Sequence, residues 1–252
     1  MNLDAVPLEA AAFLILFARI GAVLMLLPVF SEDAVPGQIR LLIALGTTAG
    51  LWGLVGSQAM PAAAHGGALP GILVTELLIG LGLGMLVKIM FQAIAMAGSI
   101  VSLQIGLSSA VIFDPSQGGQ APLLSKLVSV AAAVVCMSLA VHHLWIASIV
   151  RSYVIFPVGA PPPVGDFATL ALHTTTRAMG LGISLAAPLL VYGIVFNTAL
   201  GLAARLAPAI QVFFVAQPLN LILGIALFAT VLGTMLSGFA TAMAQWMQTG
   251  WG

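Results

Sequence analysis

The chain has 252 residues, 61% hydrophobic and only 6% charged, where soluble domains carry about 25% charged residues. Seven basic and seven acidic side chains cancel to a formal net charge of zero, which removes the electrostatic basis for nucleic-acid binding or a polybasic lipid patch. A water-facing surface cannot be built from this composition, and a mean hydropathy of +1.18 points to an integral membrane protein.

The first apolar run covers residues 8–30, and Ser31, Glu32 and Asp33 close it. Asp4 and Glu9 precede it with no Lys or Arg, and Arg19 interrupts it. A signal peptide has the opposite flank, so a retained helix is expected. An arginine at the centre of a span costs about 2.5–3.5 kcal/mol on insertion scales. Arg19 must therefore meet protein or water. Either it contacts a partner or a conduit wall, or it pairs inside the chain, with Glu76 as one candidate, or it snorkels to an interface.

Pro36 and Gly37 open the second run, residues 39–55, and a small-residue linker is expected over 56–70. The third run, 72–97, continues without a strong breaker to Phe113. It carries Glu76 and Lys88, which lie about 18 Å apart along a helix and cannot pair with each other. They are expected near opposite membrane faces. Gly80 and Gly84 share one helical face and permit close helix approach. The GLGLG run lacks the strand and the Gly-Lys-Ser/Thr of a phosphate loop.

Gln92, Ala95, Ser99, Ser102, Gly106 and Ser109 follow spacings of three and four, which puts small or polar side chains on one face. Such a stripe either packs helices tightly or lines a wet cavity. It leads into Val111, Ile112, Phe113, Asp114 and Pro115, an apolar tip before the glycine- and glutamine-rich turn at 114–122. That segment is a candidate plug, with an ordinary extramembrane loop as the alternative.

A fourth span is expected over 123–149, with Cys136 as a buried packing residue that has no disulfide partner. Pro157, Pro161, Pro162, Pro163 and Gly165 form a rigid linker that divides the sequence into a front part, 1–156, and a back part, 157–252. The fifth and sixth spans, 170–202 and 210–247, meet at a turn holding Arg205 and Pro208. Both exceed the roughly 20 residues that cross a bilayer, so tilted, kinked or protruding helices are expected. The fold class is all-α membrane protein, with about six long, partly kinked helices arranged as hairpins. Arg40, Lys88, Lys126 and Arg205 against Arg151 and Arg177 place both termini outside by the positive-inside rule. His142 and His143 point about 100° apart on a helix and make no joint metal site. No HExxH, GxSxG or Walker sequence is present, so no enzymatic activity and no cofactor are expected.

Three stretches resemble the FliR family: FARIGAVLMLLPVF (17–30) with Pro36, Gly37 and Arg40 after it, QAIAMAGSIVSLQIGLSSAVIFDPS (92–116), and NTALGLAARLAPAIQVFFVAQPLN (197–220). The resemblance implies a structural, pore-forming subunit of the flagellar type III protein-export gate, placed in the bacterial inner membrane and the flagellar basal body. It implies a hetero-oligomeric helical gate of FliP-like and FliQ-like subunits with an FlhB-like subunit, through which unfolded export substrates pass. It also implies a FliP-like front part, a FliQ-like hairpin behind the linker, and a plug loop at 106–122 with Val111, Ile112 and Phe113 pointing into the closed channel. Two other readings stand beside it. One is a small-solute secondary transporter with Arg19, Glu76 and Lys88 near a midplane site. The other is the equivalent subunit of a virulence injectisome.

Overall fold

The computed structural model describes residues 6–30, 35–64, 66–107, 123–162, 164–206 and 212–249. Among them every regular element is helical. The helices are α1 (Val6–Leu26), α2 (Gly37–Ala63), α3 (Leu69–Ile105), α4 (Leu123–Ser138), α5 (Val141–Ile155), α6 (Val164–Leu206) and α7 (Val212–Thr249), with a 3-10 turn at Gly66–Ala68. Five are long and apolar enough to cross a bilayer, and the broken pair α4–α5 makes a sixth candidate. The all-α membrane class and the number of spans agree with the composition. α3, α6 and α7 have 37, 43 and 38 residues, or roughly 55–65 Å of helix against a hydrocarbon core of about 30 Å.

Three boundaries differ from those the sequence indicates. The linker expected over 56–70 is helical as far as Ala63, and α2 runs through Pro61. Val55, Gly56, Ala59 and Ala63 form one buried face there, so packing carries the helix past a breaker that sits only two residues from its end. The fourth span, expected to be continuous, breaks after Ser138, and Ala140 takes a left-handed φ of 59°. The buried stripe of α4 is Ser125, Val128, Ala132 and Cys136, and that of α5 begins at Val141 and Trp145. Five residues separate Cys136 from Val141, a turn of about 140° on a straight helix. One uninterrupted helix cannot bury both stripes. The third span, expected to reach Phe113, ends at Ile105. Leu107 N–H donates to Ser102 O at 3.1 Å and Gly106 N–H to Leu103 O at 3.2 Å, the paired bonds of a Schellman motif. Gly106 supplies its left-handed residue at φ 85°, a conformation that costs a side-chain-bearing residue about 1–2 kcal/mol.

The chain forms two compact units, one of residues 1–90, 140–175 and 247–252, the other of 91–139 and 176–246. The first unit is built on Ile15, Leu16 and Ile20 of α1, Ile79, Leu86 and Met90 of α3, and Trp145 and Tyr153 of α5, all buried. Gly80 and Gly84 bring α3 onto α1. A Cβ at Gly80 would lie 2.5 Å from Arg19 O, and one at Gly84 2.8 Å from Leu26 Cβ. The glycine face therefore serves close packing, as its spacing predicts. Phe13 of α1 meets Trp52 of α2 at 6.0 Å between ring centroids.

The second unit centres on Ile94, Ala97, Val101 and Ile105 of α3, Ala186 and Leu189 of α6, and Phe239 and Met243 of α7. Phe91 and Phe239 pack edge to face at 5.2 Å, a preferred aromatic geometry. Cys136 is buried on α4, as expected of a small packing residue.

Candidate functional site

Among the described residues, polar side chains from different helices meet in two places, one in each unit. In the first, α1 delivers Arg19 and α3 delivers Glu76, both wholly buried. Arg19 Nε donates to Glu76 Oε2 at 2.6 Å and Nη2 to Glu76 Oε1 at 3.0 Å. This is a bidentate fork, the strongest arrangement open to the two groups. Arg19 Nη1 donates to the Ser152 carbonyl of α5 at 3.2 Å, and the Tyr153 ring lies 4.2 Å beneath the guanidinium carbon.

The proline linker closes the cluster. Gly159 adopts φ 79°, and its N–H donates to Glu76 Oε1 at 3.2 Å. Phe156 before the linker stacks on Phe167 after it at 5.2 Å. A Cβ on Gly82 would come 3.0 Å from the Phe167 ring, so Gly82 lets that aromatic pair lie flat on α3. One ion pair thus fastens α1, α3, α5 and the linker.

Glu76 is buried within the first unit and paired with Arg19, the intrachain partner that the sequence offered for that arginine. The reason is its partner: a buried guanidinium needs a carboxylate, and an acidic residue one helix away is cheaper than an unpaired cation. Lys88 is exposed and takes no part in the cluster.

The second polar site sits at the end of α3. Tyr192 of α6 donates its hydroxyl to Asn220 Oδ1 at 2.9 Å. Asn220 of α7 in turn donates Nδ2 to Gln104 O at 3.2 Å. That carbonyl is among the last four of α3, which have no partner within the helix. Gln217 and Asn220 both lie against Gly106, within 3.2 Å of where a Cβ would stand. Gly193 packs on the Gln104 side chain so closely that it has no room for a Cβ. Three helices are thus joined at the residue where the chain leaves α3.

The sequence reading missed Tyr192 and Asn220. The available signal was a lone Asn inside an apolar span, two residues after Pro218.

The small-residue stripe divides along its length. Gln92 is exposed, Ser99 is half-buried and bonds the Ala95 carbonyl of its own helix at 3.0 Å, and Ser102 is buried. Ser125 of α4 donates to Ala95 O at 2.7 Å, and its Cα stands 2.7 Å from a Cβ built on Gly98. This part of the stripe packs α4 on α3. Gly106 ends the helix, and Ser109 lies outside the described residues. So do Val111, Ile112, Phe113, Asp114 and Pro115 of the expected plug. Arg205 is exposed in the last turn of α6, where a cation suits the negative end of the helix dipole. Pro208 lies outside the described residues.

The pattern of bacterial export proteins, family 1, matches residues 10–246. The flagellar biosynthetic protein FliR of Caulobacter vibrioides is 39% identical over 240 residues, covering 95% of this chain and 94% of its own length. The chain belongs to the FliR family. The FliR of Escherichia coli is 31% identical over 216 residues, covering 85% of this chain and 81% of its own length. That of Bacillus subtilis is 29% identical over 213 residues, covering 83% and 82%. The match to bacterial export proteins, family 1, takes in both polar sites, from Arg19 to Asn220.

Proposed function

We propose that this FliR-family subunit of the flagellar protein-export gate, set in the bacterial inner membrane, forms part of the wall of a polypeptide conduit completed by other chains. The observation that carries the reading is likeness to a flagellar biosynthetic FliR along 95% of the chain. A pocket in the first unit between Leu27, Leu83 and Trp145 holds about 10 Å³, no more than one water requires. A passenger polypeptide needs far more room. Outward, α6 alone exposes Leu172, Val191, Ile194, Val195 and Leu202 by 59–71%. Such apolar faces suit burial against lipid or further helices.

The partners in this reading are FliP-like and FliQ-like membrane subunits and an FlhB-like subunit, with unfolded flagellar proteins as passengers. Residues 1–156 act as the FliP-like part and 157–252 as the FliQ-like hairpin. The role is structural rather than catalytic. Val111, Ile112 and Phe113 close the path by apolar contact and dewetting, followed by Asp114 and Pro115, and Gly106 gives the chain its turn into that segment.

Against the transporter alternative, two of its three residues, Arg19 and Glu76, satisfy each other, and only the exposed Lys88 lies outside the pair. Replacing Val111, Ile112 and Phe113 with Gly tests the gate reading. Cells carrying the variant should leak ions through the assembled gate, and an unchanged conductance with the gate assembled overturns the plug assignment.

A further inference from the structure

Arg19 and Arg151 lie in the same unit and are treated in opposite ways. Arg19 is saturated by a carboxylate, a carbonyl and an aromatic ring. Arg151 is exposed, and among the described residues no carboxylate stands within ion-pair distance of it. It projects from the face of α5 opposite the buried Trp145, Ile149 and Tyr153. Ile146, Ala147, Val150 and Val154 share its face, and with Leu51 and Leu54 of α2 they line an open groove of about 500 Å³. Gln58 and His143 are the groove's other polar residues. Leu54 and Val154 are 65% and 74% exposed, so the groove is unfilled by this unit.

From Arg151 the groove reaches back along α5 to His143, eight residues or roughly 12 Å. One leaflet of hydrocarbon is about 15 Å deep, half of a 30 Å core. The cation stands near one end, one turn before α5 stops at Ile155 and the proline linker begins. A groove that is apolar apart from Gln58 and His143, with a cation toward one end, offers an acyl chain an apolar wall and a phosphate its counter-charge. Guanidinium binds phosphate through two parallel N–H donors, and basic pockets between membrane helices take anionic headgroups.

We propose that the groove between α2 and α5 is a binding site for one anionic phospholipid. Its phosphodiester pairs with Arg151, and an acyl chain lies along Val150, Ala147, Ile146 and Leu54. The site does not depend on the conduit reading. It requires only that the chain sits in a bilayer.

The test uses the full chain in phosphatidylcholine nanodiscs carrying a trace of photo-crosslinkable phosphatidylglycerol or photo-crosslinkable phosphatidylcholine, with adducts mapped by mass spectrometry. Phosphatidylglycerol should label the peptides spanning 51–58 and 143–154 about fivefold more than phosphatidylcholine, the weight of one basic side chain at an anionic lipid surface. Arg151→Gln should erase the preference and Arg151→Lys should keep most of it. Ala147→Trp, which fills the groove along the acyl path and leaves the charge, should lower labelling by both lipids, and it keeps the test sound should Arg151→Gln misfold. Equal labelling by the two lipids, or a preference that survives Arg151→Gln, overturns the proposal. So does full competition by soluble glycerol phosphate, which would mean that the acyl groove is idle. In the gate complex isolated with its native partners the labelling should persist. Its replacement by crosslinks from these peptides to another protein chain would show a helix in the groove and overturn the lipid assignment.

Discussion

Arg19 shows how much a single side chain can organise. Removing one partner of a buried ion pair leaves the other charged and unpaired, at a cost of about 3–5 kcal/mol, whereas replacing both with apolar residues of similar volume is often neutral. Arg19→Met and Glu76→Leu should therefore each destabilise the chain strongly. The double variant should recover most of the loss in detergent thermal unfolding. If the double variant is as unstable as the singles together, the pair is not the reason for their effect.

The Tyr192–Asn220–Gln104 chain is uncharged and should matter less. Hydrogen bonds between membrane helices average about 0.6 kcal/mol, so Tyr192→Phe should cost about that. Asn220→Leu also strands the Gln104 carbonyl, an added penalty of about 1–3 kcal/mol. Equal losses from the two variants, read by the same unfolding measurement, would contradict this bond order. The ion pair was open to inference from sequence because charge is scarce here, and a central arginine leaves few carboxylates to choose from. The polar chain was not, because Tyr and Asn are common enough to pass without remark, and only the fold brings positions 104, 192 and 220 together.

At the scale of the helices, close approach is set by glycine. Gly80→Val should force α1 and α3 apart, because the built Cβ meets backbone, Arg19 O at 2.5 Å, which cannot swing aside. Overpacking of this kind costs about 1–3 kcal/mol. Gly71, on the same helix, has nothing within 4 Å, so Gly71→Ala should be neutral or stabilising through its effect on the unfolded chain. Thermal unfolding of the two variants checks this, and equal losses would show that helix propensity, not contact, sets the effect.

Helix identities were legible because runs of apolar residues this long have few other solutions. Boundaries were legible only where a breaker acts. Pro61, two residues from the end of α2, does not stop the helix at its own position, because Val55, Gly56, Ala59 and Ala63 already commit that face to packing. The break at Ala140 has no Gly or Pro to announce it and comes from two buried stripes out of phase. Gly106, by contrast, stops α3 with a motif that its sequence permits but does not demand.

For the whole molecule, the decisive contrast is between interiors that are full and outer faces that are apolar. Each unit buries its core on its own side chains, yet Leu172, Val195 and Leu206 remain 71%, 63% and 77% exposed. A chain with such faces is suited to lipid and to cover by other helices, and on the conduit reading those other chains complete the path. The lipid groove adds a second consequence. If the α2–α5 face holds a phospholipid, the surfaces left for protein partners lie elsewhere, α6 first among them. Placing charge there, as in Val195→Glu, should block copurification of the partners while leaving the isolated chain's thermal unfolding within about 0.5 kcal/mol of its parent, the range of surface substitutions away from special features. Retained copurification would remove α6 from the interface.

The most direct test of the conduit account is the native mass of the tagged chain, extracted from flagellated cells in mild detergent. The account predicts a large hetero-oligomer in which other small apolar membrane proteins accompany this chain. A stable monomer that carries a small solute across proteoliposomes unaided would contradict it.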